Sequence, residues 1–215
     1  MTMFPFRTFA VVVALALSMA SGYAQPAPTP SDDVLSRDAV LRDPGIPVAG
    51  NPAGDITIVE FFDFQCPYCR KAHADLQTLL KEDGKVRLVY KDWPILGDVS
   101  TEAARLVQAA KYQEKFTQAH DALMKYKGRL TAANLKEILA GAGIDTAKLA
   151  ADLKANETAI EATLARNNAQ AEAFGFNATP SFIIGTFRVP GALDLATFKL
   201  AIKDARELQK KSGNQ

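Results

Sequence analysis

The sequence predicts an α/β fold in which an inserted all-helical subdomain separates two sheet-forming halves. An apolar run, Ile56–Phe62, stands directly before an amphipathic run, as when a buried strand leads into a helix. After Ser100, apolar residues recur at helical spacing for about seventy residues, and strand-like sequence returns at Ser181. Because strands on both sides of a helical block can join one sheet, we expect one α/β domain that carries a helical insert.

The composition is that of a globular domain and disfavours two classes of partner. The chain has 215 residues, of which 48% are hydrophobic and 23% are charged, enough for one sizeable domain with its own core. Lysine and arginine number 25 against 24 aspartate and glutamate, so the charge is balanced. Without a basic surplus, neither nucleic acid nor an anionic membrane surface is an expected partner.

Residues 1–24 have the pattern of a cleavable secretory signal peptide. Arg7 precedes an apolar stretch of about a dozen residues, which is short for a membrane span. Small residues at Gly22 and Ala24 predict cleavage after Ala24. We therefore expect export to the periplasm or another extracytoplasmic compartment, with an uncleaved anchor as the alternative. No cysteine lies near the cleavage site, so we expect no lipid anchor there.

Residues 25–50 are expected to form a flexible lead-in before a folded domain at 51–210. Gln25–Pro30 is rich in proline and alanine. Ser31–Leu41 predicts a short helix with Ser31 as its N-cap. Asp43–Gly54 contains six prolines and glycines and predicts an irregular segment.

The elements of the domain follow from apolar spacing and from the residues at their ends. In the first half we predict a strand at Ile56–Phe62, a helix from Cys66 to about Glu82, and a strand at Val86–Tyr90. The insert, at about 98–175, is expected to hold five helices, the third capped by Thr131 and the fourth by Asp145. The last half predicts a hairpin of Ser181–Ile184 and Phe187–Val189, then a helix capped by Asp194.

Cys66 and Cys69 are the only two cysteines, and their spacing predicts a redox-active disulfide. Cys66 lies at the start of a helix, where backbone N–H groups and the helix dipole stabilise a thiolate. We expect Cys66 to be the nucleophile, exposed at the helix tip, and Cys69 to be a more buried resolving partner. Pro67 fits the first helical turn. Tyr68 is expected to modulate the reduction potential.

Two other interpretations of the cysteine pair remain open. A zinc site would need four ligands, and the chain offers only His73 and His120 besides the two cysteines. An inert disulfide would close a very short ring and constrain the unfolded chain little. We therefore expect neither a metal nor a cofactor, and we expect His73 to be a solvated helix residue.

Two further positions are candidates for the site. Glu60 interrupts an apolar strand, and burial would raise its pKa so that it could exchange a proton with Cys69. The alternative is a solvated side chain at the edge of the sheet. Thr179-Pro180 precedes a predicted strand, and a cis bond there would present the backbone of Thr179 to an extended substrate.

Three separated segments resemble the DsbA-like branch of the thioredoxin superfamily: Val59–Cys69, Lys91–Gly97 and Gly175–Phe182. The resemblance implies a thioredoxin fold with an inserted helical domain and the activity of an exported thiol–disulfide oxidoreductase. It also implies that Pro180 is cis and faces the cysteines, and that Glu60 lies beneath them.

The resemblance leaves the direction of electron flow open. A disulfide oxidase would act on newly exported, cysteine-containing proteins and be reoxidised by a membrane redox partner. An isomerase or reductase would act from the reduced state. The short lead-in favours a monomeric oxidase, whereas Thr179 before the proline also occurs in isomerase-type relatives. A different class also remains: a chaperone-like or surface binding protein that uses a groove around Pro180.

Overall fold

The computed structural model describes residues 34–213 of the chain. The predicted signal peptide, the proline-rich start of the lead-in and Ser31, the predicted N-cap, lie outside these residues. Within the described range, we find no helix with the length and apolar character that crossing a membrane requires.

Five strands and eight α-helices make up the described chain, with one 3-10 turn at Lys111–Gln113. In chain order they are α1 (Arg37–Leu41), β1 (Val48–Gly50), β2 (Ile56–Phe62), α2 (Pro67–Glu82), β3 (Val86–Asp92), α3 (Asp98–Ala110), α4 (Phe116–Lys125), α5 (Ala132–Gly141), α6 (Thr146–Ala155), α7 (Glu157–Ala173), β4 (Ser181–Ile184), β5 (Phe187–Pro190) and α8 (Leu195–Ser212).

All five strands form one mixed sheet in the order β1-β3-β2-β4-β5. β2 lies at its centre, parallel to β3 and antiparallel to β4. This central position explains why the sequence of β2 is apolar on both faces: six of its seven residues are buried. The predicted α/β fold with a helical insert between two sheet-forming halves is confirmed.

Successive residues of β2 face opposite sides of the sheet, and each side has its own core. Ile58 and Phe62 belong to the larger cluster, which also contains residues of α2, α8 and the insert. Val59 and Phe61 belong to a smaller cluster with Trp93 and residues of α1 and α7. The alternation therefore places Glu60 on the same face as Ile58 and Phe62, beneath α2.

The insert, α3–α7, shares the larger core with the sheet. Leu106 and Val107 of α3, Leu123 of α4 and Leu135 of α5 are in the cluster that contains Ile58 of β2. The predicted N-caps are confirmed as well. The side chain of Thr131 accepts a hydrogen bond from the Asn134 amide, and that of Asp145 accepts one from Lys148. The predicted division into lead-in and domain at residue 51 stays a prediction.

Two local expectations before β2 are wrong. The first helix begins at Arg37, and Ser36 is its N-cap, with its side chain accepting a hydrogen bond from the Ala39 amide. Val48–Gly50, expected to be irregular, forms β1 at the edge of the sheet. Pairing with β3 outweighs the weak strand propensity of this segment. Gly50 ends β1 at a positive φ, where a Cβ would overlap the carbonyl oxygen of Val86.

Candidate active site

Cys66 is the N-cap of α2, and its backbone is extended just before the helix begins. Its sulfur accepts a hydrogen bond from the Cys69 amide at 3.4 Å. Pro67, which has no N–H to leave unpaired, is the first helical residue, as expected. The helix therefore offers a thiolate at Cys66 both a direct amide donor and the positive end of its dipole.

The structure corrects one expectation for Cys66, the predicted nucleophile, which is buried rather than exposed. Only 4% of its surface is accessible, and its thiol donates a hydrogen bond to the Thr179 carbonyl oxygen at 3.2 Å. Pro67 and Tyr68 form the exposed part of the motif, and Tyr68 is 64% accessible. A partner approaching the sulfur therefore meets these side chains and the Thr179 backbone first.

The two thiols have opposite tendencies to ionise. Hydrogen bonding from the Cys69 side chain, helped by the backbone amides of Cys69 and Tyr68, lowers the pKa of Cys66 to about 6. Burial, the hydrogen bond to Cys66 and the charge of Glu60 raise the pKa of Cys69 far above its ordinary value. Both cysteines carry free thiols here. At neutral pH, Cys66 therefore loses its proton far more readily than Cys69 does.

Thr179 and Pro180 come from the far side of the helical insert, directly before β4. The peptide bond between them is cis, as the resemblance implies. Pro180 is buried, and its carbonyl oxygen accepts a hydrogen bond from the Gly191 amide. The structure thus brings Thr179 to Cys66, 113 residues earlier in the chain.

Glu60 is fully buried on β2, which excludes the solvated alternative. Its strand neighbours are Tyr90 on β3 and Phe182 on β4. Within residues 34–213, neither carboxylate oxygen has a hydrogen-bond partner. Burial, with a smaller contribution from the charge of Cys66, raises the pKa of Glu60 to about 8. An acid in this environment changes its protonation close to neutral pH.

Asp63 organises the loop before the cysteines, a role that its position in the sequence does not predict. It is 1% accessible. One carboxylate oxygen accepts hydrogen bonds from the Gln65 amide at 2.8 Å and the Ser100 hydroxyl at 2.7 Å. The other accepts the amides of Ile95 and Leu96, both at 2.9 Å. A single carboxylate therefore ties the cysteine loop to the segment after β3 and to the start of α3.

Replacing Asp63 with asparagine is expected to lower the free energy of unfolding by about 2–4 kcal/mol. Both carboxylate oxygens of Asp63 accept hydrogen bonds, so the amide nitrogen of asparagine would face N–H or O–H donors on one side. The matched control is Asp98→Asn in the exposed first turn of α3, which should cost less than about 1 kcal/mol. Urea unfolding of both variants measures the difference, and equal small losses would contradict the role of Asp63.

Two neighbouring side chains link the cysteine loop to the insert. The amide nitrogen of the Gln65 side chain donates to the Leu96 carbonyl and the Ser100 hydroxyl, both at 3.3 Å. Arg70, one residue after Cys69, donates to the carbonyl oxygens of Phe64, Tyr126 and Gly128. These bonds hold the start of α2 against the chain that follows α4.

The expectation that His73 is a solvated helix residue is wrong. It is 2% accessible and packs against His120 of α4, with the two ring centroids 5.1 Å apart. Both imidazoles lie beside Asp121, and these three side chains form the group of possible metal ligands within residues 34–213. The cysteines are not part of this group, so a zinc site that combines them with the histidines is not supported.

The family model described as thioredoxin matches residues 43–204. Among curated proteins, the chain matches a Na⁺/H⁺ antiporter, NhaA 1, of Salinispora arenicola with 28% identity over 161 residues, covering 74% of this chain. That match covers 24% of the antiporter, so the chain spans about a quarter of the length of such relatives.

Solved structures resemble a larger part of the chain. A thioredoxin-like oxidoreductase from Silicibacter pomeroyi DSS-3 is 44% identical, with a TM-score of 0.76, covering 80% of this chain and 98% of the other. The thiol-disulfide exchange protein alpha-DsbA2 from Wolbachia pipientis is 28% identical, with a TM-score of 0.72 and coverage of 76% and 89%. A periplasmic thioredoxin-like protein from Salmonella enterica serovar Typhimurium is 26% identical, with a TM-score of 0.67 and coverage of 78% and 94%.

Proposed function

Since this chain belongs to the thioredoxin family, we propose that it is an exported thiol–disulfide oxidoreductase that works as a disulfide oxidase through Cys66 and Cys69. One observation carries the proposal: the Cys66 sulfur lies at the N-terminus of α2 with the Cys69 amide as its donor, directly beside Thr179. This arrangement stabilises a thiolate where the backbone of a bound polypeptide could reach it.

The proposed reaction transfers one disulfide to the client. A client thiolate attacks the sulfur of Cys66 in the Cys66–Cys69 disulfide, so that a mixed disulfide forms and Cys69 leaves. A second client thiolate then attacks the client sulfur of the mixed disulfide and releases Cys66 as a thiolate. The client loses two electrons and gains a disulfide, and the protein is left as the dithiol.

Glu60 is proposed to move the proton that this exchange requires at Cys69. When Cys69 leaves as a thiolate in a buried site, it needs a proton, and a protonated Glu60 is a nearby source. In the reverse step, Cys66 is held in a mixed disulfide and has no charge. Its contribution to the raised pKa of Glu60 then disappears, which favours a carboxylate that can accept the proton of Cys69.

The lowered pKa of Cys66 supports the oxidase over the reductase or isomerase. A stabilised thiolate lowers the free energy of the reduced protein, so the disulfide form is the stronger oxidant. We expect the equilibrium of Cys66–Cys69 with a glutathione redox buffer to give a potential near about −120 mV, the value of a strong disulfide oxidant. A potential near about −180 mV would instead support the isomerase, and one near about −270 mV the reductase.

The surface around the cysteines fits an unfolded, cysteine-containing client. Tyr68, Ile95 and Leu96 are large apolar side chains that are more than 40% accessible. The hydrogen bonds of Asp63 and Gln65 hold Ile95 and Leu96 next to the cysteine loop. We propose that this apolar surface receives exported client chains and a membrane redox partner that reoxidises the dithiol.

The proposed extracytoplasmic location rests on residues 1–24 and on the likeness to a periplasmic protein. A cleavable signal peptide would leave Gln25 as the first residue of the exported protein. N-terminal sequencing of the protein recovered from the periplasm is expected to begin there.

A further inference from the structure

His73, His120 and Asp121 form a compact group of ligand atoms between α2 and α4. The Nε2 atom of His73 lies 3.2 Å from Oδ1 of Asp121, and the Nδ1 atom of His120 lies 3.9 Å from the same oxygen. One ligand atom from each of the three side chains fits within 4.8 Å of the other two. Both histidine nitrogens therefore lie next to the same atom, Oδ1 of Asp121.

The two imidazoles are buried, and their nitrogens lack well-directed hydrogen bonds. His73 is 2% accessible and His120 is fully buried. Within the described chain, none of their four ring nitrogens makes a hydrogen bond of good geometry, and neither does Oδ1 of Asp121. Buried polar atoms without partners are rare, because each costs about 1–3 kcal/mol. A ligand that these atoms bind together would remove this cost.

Aromatic rings surround the group on its inner side. The ring of His120 has its centroid 4.3 Å from that of Tyr90 and 4.9 Å from that of Phe62. An apolar shell of this kind limits the access of water and strengthens electrostatic interactions inside it. The side chain of Asp121 is 25% accessible, although its Oδ1 atom is buried, so solvent approaches the group from the side of this carboxylate.

We propose that His73, His120 and Asp121 bind a divalent transition-metal ion, and that Zn²⁺ matches them best. Two imidazoles and one carboxylate are a ligand set that Zn²⁺ accepts, with bonds of about 2.0–2.2 Å. In a tetrahedron with such bonds, neighbouring ligand atoms lie about 3.3 Å apart. The distance of 3.2 Å from His73 to Oδ1 of Asp121 matches this value, and the distance of 3.9 Å from His120 would shorten by about 0.6 Å on binding. A water molecule would complete the tetrahedron as the fourth ligand.

Lys125 is the competing cation at this site. Its ammonium group lies 2.6 Å from Oδ2 of Asp121, one helical turn away, and its side chain is 59% accessible. The exposed lysine can turn away into solvent when a metal ion binds the carboxylate. Its positive charge lowers the affinity for a second cation, so removing it should tighten metal binding.

Metal binding would connect α2, which carries Cys66 and Cys69, to α4 of the insert. The ligands exclude both cysteines, so the site is distinct from the dithiol. The test therefore uses the mature protein with Cys66 and Cys69 oxidised to a disulfide, in which no thiolate can bind metal. Zn²⁺ is titrated in competition with a chromophoric chelator, and Co²⁺ serves as a spectroscopic probe of tetrahedral coordination.

One Zn²⁺ per chain is expected, with an increase in thermal stability and the visible absorption of tetrahedral Co²⁺. Asp121→Asn should weaken binding at least about tenfold, and Lys125→Gln should strengthen it. The matched control is Asp152→Asn, which removes the acid of another lysine–aspartate pair one turn apart, on α6, and should leave the affinity unchanged. Absence of saturable binding, or equal binding by wild type and Asp121→Asn, would overturn the proposal.

Discussion

Replacing Cys66 with serine is expected to abolish disulfide transfer, whereas replacing Cys69 with serine should trap mixed disulfides. The serine hydroxyl cannot form the mixed disulfide, so the first variant has no route to the reaction. In the second variant, Cys66 can still attack the disulfide of an oxidised client, but Cys69 is no longer present to release the client from the mixed disulfide. Oxidation of a reduced client protein measures the activity, and non-reducing gel electrophoresis detects the trapped species.

The same pair of variants separates the oxidoreductase from the binding-protein alternative. Circular dichroism and thermal unfolding check that both variants fold, which is expected because each exchange is nearly isosteric. A Cys66→Ser variant with full activity in vivo would show that the fold acts by binding clients rather than by exchanging thiols. A loss confined to thiol transfer, with client binding retained, would assign the chemistry to Cys66.

Replacing Glu60 with glutamine is expected to stabilise the reduced protein increasingly as the pH rises from about 4.5 to about 8. A glutamate carboxyl in the unfolded chain has an ordinary pKa of 4.5, and burial in the folded protein raises this pKa to about 8. Between these values the unfolded chain has released the proton and the folded protein still holds it. The free energy of unfolding of the wild type therefore falls with rising pH, by up to about 1.4 kcal/mol per unit.

Glutamine does not ionise, so this pH dependence is lost in the variant. Above pH 8 the free energy of unfolding of the variant should exceed that of the wild type by on the order of 3–5 kcal/mol. Near pH 4 the two values should be nearly equal. Urea unfolding across this range is the measurement. The oxidised protein is an internal control. It lacks the charge of Cys66, so Glu60→Gln should stabilise it less than it stabilises the reduced protein. Parallel wild-type and variant curves would contradict a buried Glu60 with a raised pKa.

The role of Glu60 as a proton carrier has its own readout, the pH dependence of Cys69 alkylation. The profile of Cys69 should shift in Glu60→Gln if the carboxyl exchanges protons with that thiol. An unchanged profile, together with a changed stability, would leave Glu60 buried but without a part in the exchange.

The sequence predicts well what depends on local spacing. The apolar run of β2, the cap of α2 at Cys66 and the caps at Thr131 and Asp145 are all determined by residues close in the chain. The cis bond before Pro180 is different, because it followed from the resemblance rather than from spacing.

What the sequence did not predict depends on contacts between distant residues. The thiol of Cys66 is covered by Thr179, 113 residues away, and the carboxylate of Asp63 is satisfied by amides more than thirty residues later. His73 looks solvated on α2 because its neighbours, His120 and Asp121, belong to another helix. A polar residue is expected at the surface until its partner is known.

The alternation of side chains along β2 determines whether the acid faces the cysteines. Successive residues of this seven-residue strand face opposite sides of the sheet, so a shift of one position would move Glu60 to the face away from the dithiol. If one residue between Glu60 and Cys66 were deleted while the cysteine loop kept its place, the carboxylate would turn toward Trp93 and Phe176, and the apolar Val59 would lie beneath the thiols. The sheet would keep its composition, but the cysteines would lose their acidic neighbour.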